Sequence, residues 1–194
     1  MSMLCSLYRV TSGQADVLRN EPHLVSELLD EEPQNSSDLA GVFARFFGRK
    51  SVRQSRPIRR LAALRPTDRH DLDQSWHILH YLLTGQSEGG PFPGAFICAG
   101  GTEVGRDLGY GAPRLFDPRE AKEIAEFLAV QSQPELAARY RPDLMASASV
   151  YWRASDSPDR QREELAGIWQ ALQDLRNFLT DSASEGHGFL IEIY

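Results

Sequence analysis

The chain has 194 residues, 41% of them hydrophobic and 25% charged, with a formal net charge of −6. That length suits one substantial core, and the negative balance argues against general nucleic-acid binding. No apolar run approaches the roughly 20 residues that span a membrane.

The start, Met1 to Val10, lacks the charged leader and apolar stretch of a signal peptide, and Met3 to Val10 reads as a short opening strand. Cys5 and Cys98 suit a reducing cytosol and read as small buried hydrophobes, so a cytoplasmic protein is expected. Thr11-Ser-Gly-Gln14 has the form of a capping box and predicts a helix through Val17 and Leu18. Pro22 interrupts it, and a second helical set follows at Leu24, Val25, Leu28 and Leu29. Residues 31–37 read as a linker, and Leu39, Val42, Phe43, Phe46 and Phe47 recur at helical spacing beyond it.

A basic segment comes next. Between Arg45 and Arg69 lie nine basic side chains and one acid, a charge of +8; the other residues hold 12 basic and 26 acidic side chains, or −14. Such an arm could bind an acidic or phosphate-rich partner, fold back onto the acidic body, or stand as a solvated, mobile insertion.

Residues 70–85 carry the strongest local pattern. Asp71 followed by Gln74 has the form of a capping box, and Gly85 stands where a left-handed closing residue is wanted. At 100° per residue, Leu72, Trp76, Leu79 and Leu83 form an apolar stripe, with Asp73, His77, His80, Tyr81 and Thr84 on the opposite arc. An i,i+4 pair of Asp73 and His77 would let a carboxylate orient an imidazole, although no nucleophile is evident. His77 and His80 supply only two ligands, so no metal is expected. The plainest reading leaves both histidines hydrogen-bonded under a covering loop.

Nine of the fifteen glycines fall between Gly85 and Gly111. Gly85-Gln-Ser-Glu-Gly89 matches a nucleophile elbow in letters only, because a helix precedes it where a strand is required. Gly100 to Gly105 lacks the phosphate-loop lysine. Residues 94–99 are compatible with a strand. Asp117-Pro-Arg-Glu120 is a clean helix start, followed by an apolar stripe at Ala121, Ile124, Ala125 and Leu128. A short helix is expected from Pro134 to Tyr140, and a strand or extended edge from Ala146 to Trp152. A long helix should open at Ser157-Pro158, and a closing strand carries Phe189, Ile191 and Ile193.

The segment Asp71-Leu-Asp-Gln-Ser-Trp-His-Ile-Leu-His-Tyr-Leu-Leu-Thr-Gly85 resembles the signature of the YfbM-like family, bacterial proteins grouped as a domain of unknown function. The Met-Ser-Met opening before Tyr8-Arg-Val10, Gly109-Tyr-Gly-Ala-Pro-Arg114, a Tyr-Trp region after Met145 and the apolar last strand agree. The family pattern usually has Pro near position 152, whereas this chain has Tyr151-Trp152. The resemblance implies a compact cytosolic α+β domain and assigns no reaction, cofactor or catalytic residue.

The expectation is a single α+β domain over residues 1–194, its helices packed on a small mixed or antiparallel sheet, with a basic insertion at about 45–69. No cofactor is expected. Function divides two ways. One is a non-catalytic interaction protein, regulatory or an immunity-type inhibitor, with an acidic-surfaced or toxin-like protein partner. The other is a small-ligand protein or enzyme taking an anionic substrate in a pocket of Asp73, His77, His80, Tyr81, Tyr110 and Arg114.

Overall fold

The computed structural model describes residues 3–29, 65–107 and 109–194. The expected linker at 31–37, the phenylalanine-bearing helix at 39–47 and the basic segment up to residue 64 lie outside the described residues.

Five strands form one sheet: β1 (Cys5–Val10), β2 (Arg69–Asp73), β3 (Thr102–Glu103), β4 (Arg114–Phe116) and β5 (Gly188–Ile193). Their order is β2-β1-β5-β4-β3, and every neighbouring pair is antiparallel. The closing strand lies beside the opening one, with Leu7 opposite Ile191 and Arg9 opposite Phe189. Gly188 is required where β5 meets β4, since a Cβ there would sit 2.2 Å from the Phe116 carbonyl oxygen.

Seven helices are described: α1 (Ser12–Asn20), α2 (Leu24–Leu29), α3 (Trp76–Thr84), α4 (Pro118–Ala129), α5 (Gln133–Arg139), α6 (Pro142–Ser147) and α7 (Pro158–Ser184). Both expected starts for α1 and α4 are capping boxes, closed by Thr11 with Gln14 and by Asp117 with Glu120. Each satisfies amides that the first helical turn leaves unpaired.

Helices cover both faces of the sheet. Cys5, Leu7, Phe116, Phe189 and Ile191 belong to a core shared with α3, α4 and α7 through Leu79, Ile124, Leu128, Leu172 and Leu175. Tyr8, Val10, Leu115 and Leu190 pack instead with Leu18, Leu24, Val25 and Leu28 of α1 and α2. Burial on two sides explains why β1 is buried at all six positions and alternates only weakly in sequence. The result is a single α+β domain with an antiparallel sheet. Among the described residues, no helix is long and apolar enough to cross a membrane.

Three local expectations are corrected. Asp71 caps no helix: it lies in β2, where its carboxylate accepts from the Ser6 hydroxyl at 2.6 Å and from Arg69 at 2.8 Å. Ser75 occupies the cap position of α3, and its hydroxyl donates to the Leu72 carbonyl. Residues 94–99 form turns, with the Ala95 and Ala99 amides bonded back to Pro91 and Ala95. Finally, α6 and a following turn take the place of the extended edge expected at 146–152.

Candidate functional site

Helix α3 departs most from its sequence pattern. Trp76 through Leu83 are all buried, the polar arc as fully as the apolar stripe. A helix covered all round belongs to the core, and on the polar side the 86–90 loop reaches it through the Ser87 carbonyl at His77 and through Gly90 beside Thr84. Asp73 precedes the helix, exposed and at φ 46°, so it does not sit one turn before His77 on α3.

His77 has both ring nitrogens engaged by backbone. Nδ1 accepts from the Tyr151 N–H at 2.8 Å, and Nε2 lies 2.7 Å from the Ser87 carbonyl oxygen. A backbone amide can only donate and a carbonyl only accept, so the two bonds fix one tautomer, with the proton on Nε2. The ring also stacks on Trp76, with centroids 4.6 Å apart and planes inclined by 6°. His77 is therefore a clamp between α3, the 86–90 loop and the 150–152 segment.

His80 is fully buried, and neither ring nitrogen makes a hydrogen bond of normal geometry among the described residues. Burial pushes its pKa down to about 4. The neighbouring His77 ring and Arg114 guanidinium act the same way, and the Gly89 backbone acts weakly against them. Tyr81 is buried in the core. Tyr110 stands 48% exposed on the 105–111 loop, away from that core.

Arg114 bonds to the turns that follow the 86–90 loop. Its guanidinium donates to the carbonyls of Phe96 and Gly100, each at 3.1 Å, and to that of Ile97. Burial pulls its pKa below the ordinary value, with Cys98, Cys5 and Glu103 opposing. Its flat fork fits several carbonyls at once, which an ammonium cannot match. Arg114→Lys should therefore cost about 2 kcal/mol in chemical denaturation. A cost near zero would show that the carbonyl bonds contribute nothing.

The structure thus brings His77, His80 and Arg114 close together, with Tyr81 on the same helix, and leaves Asp73 and Tyr110 apart. None of the six lines any of three clefts among the described residues. Nor do any three of His, Cys, Asp and Glu among those residues gather to hold a metal ion.

An open cleft of about 620 Å³ lies just outside the clamp. Its walls are Gln74, Val150, Tyr151, Trp152, Arg153 and Glu164. One wall is the segment that His77 holds by the Tyr151 amide. The Glu164 carboxylate accepts from the Tyr140 hydroxyl and from the Ser155 amide at 3.1 and 3.3 Å. Burial and the bond to Glu164 push the Tyr140 hydroxyl up to about 12, while the Trp152 indole acts in the opposite direction. A second cleft, of about 270 Å³, lies among Leu82, Leu136, Leu165 and Trp169. A third, of about 490 Å³, lies beside α2 at Val25, Leu29 and Arg106.

In the sequence Tyr151-Trp152 stands out only as a departure from the family pattern, and Tyr140 and Glu164 do not stand out at all. On α7, Glu164 has no mark that separates it from the neighbouring acids; the Tyr140 hydroxyl that singles it out is 24 residues away.

A family model, a domain of unknown function designated DUF1877, matches residues 1–192. The chain belongs to this family. The solved structure of YfbM from Escherichia coli, a protein of unknown function, is similar over 98% of this chain and 99% of that one. Its TM-score is 0.67 at 17% identity. That likeness shows a shared fold. No curated protein matches.

Proposed function

We propose that this DUF1877 domain is a non-catalytic binding protein, regulatory or immunity-type, whose protein partner docks on the 150–153 cleft. The observation that carries the reading is the commitment of the α3 polar groups to structure beside an open, aromatic-walled cleft. His77 spends both nitrogens on backbone, and His80 is sealed in the core. Tyr151 and Trp152 are half-buried, the amphipathic aromatics enriched at protein interfaces. A bacterial cytoplasmic setting accords with free thiols at Cys5 and Cys98.

The alternative, an anionic-substrate pocket at Asp73, His77, His80, Tyr81, Tyr110 and Arg114, has less support. Arg114 would have to release three carbonyls, and Asp73 and Tyr110 would have to move inward.

Crosslinking of the full chain in its own cells, compared with Trp152→Ala, tests the reading. A stoichiometric partner held by the wild type should be lost at least tenfold in the variant, the usual scale of an interface anchor. Equal capture by both proteins would contradict it.

A further inference from the structure

We infer that the 150–153 cleft receives a cationic side chain, arginine or lysine, carried on an extended segment of the protein partner proposed above. The inference rests on that reading and supplies its chemistry of recognition.

The anchoring group is Glu164. Its carboxylate takes hydrogen bonds from the Tyr140 hydroxyl and the Ser155 amide, all from neutral donors. Among the described residues, no lysine, arginine or histidine nitrogen lies within 4 Å of it. Neutral donors orient a carboxylate without cancelling its charge. What they leave is a fixed negative group on the wall of an open cleft.

The second element is aromatic. Tyr151 and Trp152 line the same cleft, and a guanidinium or ammonium within about 6 Å of such a ring is attracted by its electron-rich face. This fold already uses the pairing, with Arg176 5.7 Å from the Trp169 ring and Arg9 5.3 Å from that of Phe178. A carboxylate beside two aromatic rings is a combination that selects for a cation. The net charge agrees in sign, at −6 for the whole chain.

Arg153, the one cation on the wall among the described residues, is exposed, and its long side chain can turn to water. It also provides a control of opposite sign. The size and openness of the cleft favour a side chain borne on a continuing peptide, which can extend over Val150 and Gln74, over a free small cation.

The test follows the indole resonances of the isotope-labelled full chain, which has three tryptophans. It is titrated with an acetylated, amidated Gly-Arg-Gly peptide, the Gly-Glu-Gly counterpart, and tetramethylammonium. The arginine peptide should shift the Trp152 resonance saturably. Glu164→Gln, which retains an acceptor for Tyr140 and Ser155, should weaken that binding about tenfold, whereas Arg153→Ala should leave it equal or tighter.

No shift with the arginine peptide, or binding indifferent to Glu164→Gln, would overturn the inference. Preference for the glutamate peptide, strengthened by Glu164→Gln and lost in Arg153→Ala, would overturn its sign. Tetramethylammonium binding as tightly as the arginine peptide would assign the cleft to a small quaternary ammonium and overturn the peptide occupant. Failure of these titrations alongside loss of the cellular partner in Trp152→Ala would refute the cationic chemistry and leave the docking surface standing. Unchanged partner capture in Trp152→Ala would refute the docking surface itself.

Discussion

Replacing His77 with alanine should destabilise the domain by about 3 kcal/mol and release the wall of the cleft. The ring is 8% exposed and fills space between Trp76 and the 86–90 loop. Its removal strands two backbone groups, the Tyr151 N–H and the Ser87 carbonyl, in a site that water reaches poorly. Each orphaned group costs on the order of 1–3 kcal/mol, and the loss of ring stacking adds to that. Chemical denaturation should show the shift in midpoint. Amide exchange should speed up selectively at Tyr151, because that N–H no longer has an acceptor. Asparagine, whose amide can both donate and accept, should recover part of the loss. A loss below about 0.5 kcal/mol, the range of an ordinary surface change, would mean that the ring is no clamp.

Acidification should cost a comparable amount, also about 3 kcal/mol, between pH 6.5 and pH 4. His80 titrates near 6.5 when unfolded and is held at about 4 in the fold, first by burial and then by the neighbouring His77 and Arg114. Over that interval the unfolded chain binds a proton that the native chain refuses, so stability rises with pH. The contribution is complete above about 6.5 and is lost as the pH falls toward 4. His70, stacked on Phe178 and lowered by burial, adds to the same slope. Asp68 and Asp71 act below this window, since their depressed carboxyls contribute stability above 3.8 that disappears as the pH falls further. Denaturation midpoints for wild type and His80→Leu, measured from pH 7 to pH 4.5, separate these contributions. The variant should lose most of the slope. An unchanged slope would place the acid sensitivity elsewhere.

What could be read from sequence was the part decided by short-range chemistry. The boxes at Thr11 and Asp117 depend on residues three apart, within a single helical turn. The Asp71 spacing is the same in form, but Ser6 and Arg69 capture its carboxylate and the backbone is drawn into β2. Strands β3 and β4 span two and three residues, too few to show alternation. Helix α3 was legible as a rod with a polar arc. Its function in the fold was not, because the partners of His77 lie 10 and 74 residues away. The cleft is still less local, since Tyr140 and Glu164 meet only once α5 and α7 are packed.

The reading of α3 as an internal scaffold is tested most directly by a long-range proton–nitrogen spectrum of the histidine rings at neutral pH. His77 should appear as a single neutral tautomer, protonated at Nε2 and slow to exchange, with Nδ1 shifted by the bond from the Tyr151 amide. A His77 ring protonated at Nδ1, or one averaging between tautomers in contact with water, would contradict the clamp and free that histidine for chemistry.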